Sequence, residues 1–166
     1  MCIRDSYYHQ QLDRAILVLK RFLNEGNGWV ENNIEACKIL SFCYSQKENP
    51  SAAMEALTRS FQYDLPRAEI CCELGGNLMK TGNYKTAIFW YQLALNTPRN
   101  DNGGAFVSID CYGYLPAIQL CVCFDRIGDH KRAEEYNNLA GSFRPQSAAF
   151  LQNKEYFKNL AKKHPL

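Results

Sequence analysis

Three alanines stand at equivalent positions in this 166-residue chain and set a period along it. Ala53 and Ala87 are 34 residues apart (87 − 53), and Ala133 follows after 46 residues (133 − 87), which is 34 plus 12. A period of 34 is typical of a repeat made of two helices and a turn, which buries its apolar face only against neighbouring repeats. The spacing therefore predicts a stack of antiparallel helix pairs with one 12-residue insertion.

The residues around Ala87 give the clearest unit. A turn is predicted at Gly82, and Pro98 ends the second helix because proline cannot continue it. Similar units are predicted at about 34–66, 68–98 and 114–145, which makes the fold all-α, a superhelix of the tetratricopeptide type. The predicted helix-crossing positions are small or apolar in the clearest unit: Cys71, Leu74, Gly75, Leu78, Ala87, Tyr91 and Ala94.

The two ends of the chain depart from the repeat. Residues 7–24 resemble the second helix of a further repeat whose first helix is missing, so we expect the chain to be the tail of something longer. Residues 1–6 fit no repeat position and are interpreted as a non-native leader. Residues 147–162 predict a capping helix with a lysine-rich end, and the whole of 7–166 is taken as one repeat domain.

Both insertions fall between the second helix of one unit and the first helix of the next. They are predicted as loops at Asn24–Asn33 and Arg99–Gly113, and each carries aromatic residues. One interpretation is that the aromatics only fasten the loops to the stack. The other is that they form a contact patch for a partner domain or a second subunit.

Charge and hydropathy limit the classes of partner. The net charge of +2 is too small to favour nucleic acid or an anionic membrane, and the 46% hydrophobic content argues against disorder. The sequence shows neither a membrane-spanning stretch nor a signal peptide. We therefore predict a cytoplasmic protein that binds a protein or peptide, with a homodimer as one form of partnership.

Eight cysteines raise the question of metal binding or disulfides. Their spacings give no Cys-x-x-Cys pair and no nearby histidine, so they are interpreted as small buried hydrophobic residues, with no cofactor or metal. Cys72 and Cys123 are expected off the main core stripe and keep a claim to reactivity.

Catalytic motifs are missing from the sequence. It contains no Asp-x-Asp, phosphate-binding glycine loop or Gly-x-Ser-x-Gly turn, so this chain alone is not expected to be an enzyme. Glu69 and Glu73 are predicted to be solvated on a helix surface, and His130 to be structural. Asn137 stands where an apolar residue is usual, and we expect it to face solvent or to find a partner in the next helix.

A groove on the concave face is the natural place for a bound peptide. Lys38 suits a terminal carboxylate, but Phe42 and Glu73 stand where asparagine would be wanted, which argues against a carboxylate clamp. The predicted concave positions are Lys38, Phe42, Cys72, Gly76, Met79, Ile118, Val122 and Asp125. The candidate partner-binding residues, taken from the groove and the loops together, are Trp29, Phe42, Cys72, Met79, Phe106, Asp110, Tyr112 and Ile118.

Several stretches resemble one particular family. They are Gly28–Asn32, Pro66–Leu74, Thr86–Tyr91, Asp110–Gly113 and Pro116–Cys123. Together they resemble the C-terminal tetratricopeptide region of bacterial family 2 glycosyltransferases, with Tyr112 in place of an expected tryptophan. The resemblance implies a non-catalytic appendage to a hexosyl-transferring domain outside this chain, serving dimerisation or acceptor docking. A free-standing scaffold that binds a peptide in the concave groove is the alternative.

Overall fold

The computed structural model describes residues 3–99 and 107–163, with the side chains of residues 3–10 and 163 left out of the description. Within those ranges the fold is all-α, as predicted, and contains no β-strand. Short 3-10 helices follow α3 at Ser60–Gln62 and precede α6 at Ile109–Tyr112. The α-helices of the described residues are α1 Ile3–Glu25, α2 Val30–Gln46, α3 Pro50–Arg59, α4 Ala68–Lys80, α5 Tyr84–Asn96, α6 Tyr114–Arg126, α7 His130–Phe143 and α8 Ala148–Lys163.

The described residues form two compact units, one up to Pro66 and one from Arg67 onward. In the first unit α1 packs on α2 and α2 packs on α3. Its core forms where small and aliphatic side chains from all three helices meet, namely Leu23, Ala36, Cys37, Leu40 and Ala56.

Helix α2 shows how the chain absorbs the shorter insertion. It has 17 residues, whereas α4 and α6 have 13 each, a difference of four (17 − 13). Four residues are close to one helical turn, so the insertion lengthens the helix without disturbing its packing face. The prediction of a loop over Asn24–Asn33 was therefore wrong in its bounds, because α1 continues to Glu25 and α2 begins at Val30.

In the second unit consecutive helices from α4 to α8 pack side by side. Its core contains the small residues predicted for the helix crossings, and Ala87, Ala94 and Ala133 are fully buried there. Gly75 is needed at one crossing, because a Cβ atom at this position would lie 2.7 Å from the ring of Tyr91. A side chain there would force the two helices apart.

The turns within the helix pairs follow standard capping chemistry. Asn49 accepts a hydrogen bond from the Ala52 amide at 3.1 Å, and Pro50 occupies the first turn of α3. Asp129 does the same for α7 by accepting from the Arg132 amide at 3.0 Å. Gly82 and Gly128 have φ angles of 75° and 82°, which glycine adopts without strain.

Three buried residues with polar or sulfur-containing side chains test the predicted core. Asn137 is completely buried, and its Nδ2 donates to the carbonyl oxygen of Phe150 in α8 at 3.2 Å. The expected partner in the next helix is thereby confirmed. The placement of Cys72 and Cys123 off the core was wrong, because both are buried, and burial raises the pKa of the Cys123 thiol to about 11.

None of the helices built from the described residues combines the length and the apolar character needed to cross a bilayer.

Candidate functional site

The two most accessible apolar side chains of α2 are Ile39 and Phe42. They share one stripe of that helix with Glu35 and Lys38, and we call these four residues the α2 face. These residues are three or four apart, so they share one side of the helix. Phe42 is 60% exposed and Ile39 is 42% exposed. The opposite side of α2 is buried in the first unit, through Cys37, Leu40 and Ser41.

The charged residues of the α2 face are paired beside its apolar ones. Lys38 Nζ lies 2.7 Å from Glu35 Oε2, and both side chains are partly exposed. An ion pair at this exposure contributes little to stability. A partner that places an apolar group on Phe42 also lies next to Lys38 and Glu35, which can hydrogen-bond to polar groups of that partner.

Trp29 lies just before α2 and is 58% exposed. Its backbone is held in place by its neighbours, since Asn33 Nδ2 donates to the carbonyl oxygen of Gly28 at 2.9 Å. A Cβ atom at Gly28 would lie 2.2 Å from Asn33 Oδ1 and 2.6 Å from Phe22 Cζ, so a side chain there would displace those two side chains. The result is a fixed backbone that presents the Trp29 side chain to solvent.

The second connection contains a segment at residues 107–113, which we call the inserted segment. It is fastened to α4 by Glu69. Glu69 Oε1 accepts from the Ser108 amide at 2.8 Å, and Oε2 accepts from the Tyr112 hydroxyl at 3.0 Å. Because Glu69 is only 6% exposed, the prediction that it is solvated was wrong, whereas Glu73 is exposed as predicted.

Further contacts fix the inserted segment within the second unit. Asp110 pairs with Arg144 at the end of α7, and the Cys72 thiol donates to the carbonyl oxygen of Cys111 at 3.8 Å. Burial raises the pKa of the Tyr112 hydroxyl, and the neighbouring Glu69 carboxylate raises it further. The described part of this connection thus supports the interpretation that its aromatic residue fastens the loop.

Two of the predicted partner-binding residues contribute little surface. Cys72 is 6% exposed and Ile118 is 7% exposed, so their predicted position on an open concave face was wrong. Both face packed helices instead, since Cys72 lies in the main core of the second unit and Ile118 packs with Ala117 and Ala140.

The remaining candidates fall into three groups. Trp29 and Phe42 are exposed, whereas Met79, Asp110 and Tyr112 are half-buried. Phe106 lies outside the described residues.

The other predicted groove positions are all half-buried, namely Lys38, Gly76, Val122 and Asp125. In the first unit, the structure places Phe42 and Lys38 together on α2. In the second unit, it places Asp110 and Tyr112 on the same short helix.

Glu69 is the residue that sequence reasoning missed. Its partners lie 39 and 43 residues further along the chain. The sequence carries no clear signal for this contact, because Ser108 donates through its backbone amide, which every residue except proline has.

An open depression of about 580 Å³ lies beside the inserted segment in the second unit. Two polar side chains that line the depression are hydrogen-bonded to each other, since Gln92 Nε2 donates to the Tyr136 hydroxyl at 3.2 Å. In the described ranges no three His, Cys, Asp or Glu side chains are grouped so that they could hold a metal ion. The depression is lined by Gln92, Leu95, Asn96, Tyr112, Tyr136, Leu139 and Phe143.

His130 begins α7 and supports the turn before it. Its Nδ1 lies 2.9 Å from Asp125 Oδ1, and the Tyr156 hydroxyl donates to the same oxygen at 3.1 Å. These contacts join the last turn of α6 to the start of α7 and to the middle of α8, which agrees with the predicted structural role of His130.

Residues 68–101 match the family model of the tetratricopeptide repeat. This range begins where α4 begins and contains the whole of α5. The fold class of the chain is therefore all-α with helix pairs of the tetratricopeptide type.

Solved structures share this fold. A crystal structure of MamA is 26% identical, with a TM-score of 0.61 over 87% of this chain and 76% of that one. A second MamA structure is 22% identical, with a TM-score of 0.62 over 95% and 88%. PcrH, solved in complex with the chaperone-binding region of PopB, is 18% identical, with a TM-score of 0.59 over 78% and 98%.

Curated proteins provide no significant sequence match. None of the three structures is described as a glycosyltransferase.

Proposed function

We propose that this chain is a protein-interaction scaffold whose α2 face binds an apolar side chain of a peptide or partner protein. The observation that carries the proposal is the pairing of Phe42, 60% exposed, with Ile39, 42% exposed, one turn apart on a helix that is firmly packed on its other side. A rigid helix with two adjacent apolar side chains loses little entropy when a partner covers them.

The fold has a precedent for this kind of binding. PcrH was solved with the chaperone-binding region of PopB, so an array of helix pairs can hold a segment of another protein. At 18% identity that likeness concerns the fold, and the choice of surface in this chain rests on its own residues.

A peptide-display selection on the immobilised chain tests the proposal. We expect peptides with a large apolar residue to be enriched and the enrichment to be lost in Phe42→Ser. Phe89→Ser is a matched control, because Phe89 is 58% exposed on α5 and has no place in the α2 face. If Phe42→Ser retains the selected peptides while Phe89→Ser loses them, the binding surface lies elsewhere and the proposal fails.

A narrower proposal follows from the family resemblance. It places this chain in a cytoplasmic family 2 glycosyltransferase, as a non-catalytic region for dimerisation or acceptor docking. The resembling stretches support it, since they include part of each predicted insertion, Gly28–Asn32 and Asp110–Gly113. The reading frame upstream decides it: a transferase domain with an Asp-x-Asp motif is expected, and a frame without one excludes this parentage.

Dimerisation has its own test. Substituting Phe106 and Tyr112 with serine is expected to lower the mass measured by light scattering. Because Tyr112 is hydrogen-bonded to Glu69, the double variant also needs a folding control by circular dichroism. The exposed Trp29 supplies a variant, Trp29→Ser, that leaves the inserted segment intact. Equal masses for all three proteins would exclude dimerisation through either connection.

A further inference from the structure

Two thiols lie together where the inserted segment meets α4. The Cys72 thiol donates to the carbonyl oxygen of Cys111 at 3.8 Å, and each of the two thiols shifts the pKa of the other. Both residues are buried in the same cluster, at 6% and 7% exposure. They come from segments 39 residues apart, so the fold, and not the local sequence, brings them together.

The two thiols differ in acidity. The pairing with Cys72 lowers the pKa of Cys111, and Ser108 adds to this effect, whereas the same pairing and burial raise the pKa of Cys72. The neighbouring cysteines behave differently, since burial raises the pKa of Cys71 and of Cys121 to about 12. Among the described cysteines, Cys111 is the one whose pKa is lowered, which favours its thiolate, the nucleophilic form, and the thiol of Cys72 next to it stays protonated.

Cys111 lies in the middle of the fastened part of the inserted segment. Glu69 holds Ser108 on one side of it and Tyr112 on the other. These bonds keep Cys111 opposite Cys72 without any covalent link. The contact between the Cys72 sulfur and the main chain of Cys111 is thus maintained by the fold itself.

We propose that Cys72 and Cys111 are a hydroperoxide-sensitive thiol pair that forms a disulfide between α4 and the inserted segment. The Cys111 thiolate attacks one oxygen of the hydroperoxide, the O–O bond breaks, and hydroxide or alkoxide leaves. The sulfur is thereby oxidised by two electrons to a sulfenic acid. The Cys72 thiol then attacks that sulfur, the S–S bond forms, and the S–O bond breaks with loss of water.

The bond closes a covalent loop over residues 72–111 and fixes the inserted segment to the stack. A thiol reductant reverses it by exchange. In a reducing compartment the pair stays as two thiols until a hydroperoxide reaches it, which is the behaviour of transient, redox-sensing disulfides. This property is independent of the proposed peptide binding on α2.

Peptide mapping of the full-length native chain tests the proposal. The chain is treated with hydrogen peroxide, quenched, denatured and alkylated, and then digested. We expect a cross-linked peptide pair containing Cys72 and Cys111, with two hydrogen atoms lost, while Cys71 and Cys123 remain alkylated. The urea midpoint of the oxidised chain is expected to rise and to return after treatment with dithiothreitol.

Variants separate the pair from its neighbours. Cys111→Ala is expected to abolish the cross-link, and Cys123→Ala, which alters an equally buried thiol of the same cluster, is expected to retain it. Full alkylation of both Cys72 and Cys111 after peroxide would overturn the proposal. So would oxidation of Cys111 to a sulfinic acid without a cross-link, and because both readouts use the unaltered chain, they stand even if a variant fails to fold.

Discussion

The two connections that exceed the 34-residue period look alike in sequence and differ in structure. Each carries an aromatic residue next to glycine. In the first, Trp29 is 58% exposed beside a backbone held by Asn33. In the second, Tyr112 turns toward α4 and donates to a buried carboxylate. An aromatic residue in a long connection is therefore no guide to whether that connection faces a partner.

Insertion length explains the difference. Four extra residues make one additional turn of α2, so the first connection remains short and has few backbone groups to satisfy. Twelve extra residues cannot be absorbed in this way, since α6 keeps the 13 residues of α4. The longer segment brings partly buried amide and hydroxyl groups to the stack, and Glu69 accepts a hydrogen bond from one of each.

Removing that carboxylate should damage the second connection most. Glu69→Ala leaves the Ser108 amide and the Tyr112 hydroxyl without their acceptor, and hydrogen bonds to charged groups are the stronger kind. We expect the free energy of unfolding to fall by about 2–3 kcal/mol. Urea denaturation followed by helicity measures it.

Glu73→Ala is the control for this variant, because Glu73 is exposed on the same helix. Its effect should stay within about 0.5 kcal/mol. Amide hydrogen exchange at Ser108 gives a local readout, with protection lost in Glu69→Ala and kept in Glu73→Ala. Equal losses of stability in the two variants would show that Glu69 does not fasten the segment.

A matched pair of aromatic substitutions sharpens the contrast. Tyr112→Phe deletes only the hydroxyl that donates to Glu69 at 3.0 Å, and we expect a loss of about 1 kcal/mol. Trp29→Phe changes a side chain that is 58% exposed and should alter stability by less than about 0.5 kcal/mol. Thermal and urea unfolding of both variants measures the difference, and the reverse order would contradict the roles assigned to the two connections.

The repeats could be predicted from the sequence because each unit has a small residue at the equivalent helix-crossing position. Ala53, Ala87 and Ala133 are fully buried, and Asn137 has its partner in the next helix. Glu69 was misplaced because helical spacing alone puts it beside the exposed Glu73. What buries it is a segment 39 residues away, and no period in the chain encodes that contact.

For a related reason, the prediction of an exposed position was right for Phe42 and wrong for Cys72. Phe42 is exposed because helical periodicity alone sets which side of α2 it occupies. The burial of Cys72 depends on what covers the helix, and the inserted segment covers it. Sequence periodicity thus predicts which side of a helix a residue occupies, but not whether an irregular segment packs over that side.

The first connection should be weakened less by loss of its own anchor. In Asn33→Ala the carbonyl oxygen of Gly28 loses the donor that lies 2.9 Å away. The side-chain oxygen of Asn33 is buried without a hydrogen-bond partner among the described residues, so removing it relieves an unfavourable burial. The two effects oppose each other, and we expect a net loss of about 0.8 kcal/mol.

Urea denaturation of Asn33→Ala measures this loss, with Asn32→Ala as the exposed neighbour for comparison. A loss larger than that of Tyr112→Phe would show that the first connection is the more firmly fastened of the two.

The smallest expected difference between the two connections is in how the free energy of unfolding depends on alkaline pH. Burial raises the pKa of Tyr112, and the charge of Glu69 raises it further, so the folded chain ionises this phenol at higher pH than the unfolded chain does. A raised folded pKa gives stability that is fully present below the unfolded value of about 10 and is lost as the pH rises through the folded value.

Between about pH 9.5 and 11, the unfolding free energy of the natural chain should therefore decline more than that of Tyr112→Phe. The expected difference is roughly 0.5 kcal/mol, because the half-buried position of Tyr112 lets solvent screen the interaction. Burial also raises the pKa of Tyr91, so both proteins share a further decline that cancels in the comparison. Trp29→Phe carries no change in phenol groups and should follow the natural chain. Parallel curves for the natural chain and Tyr112→Phe would mean that the Tyr112 hydroxyl stays solvated, and that the two connections differ less than their hydrogen bonds indicate.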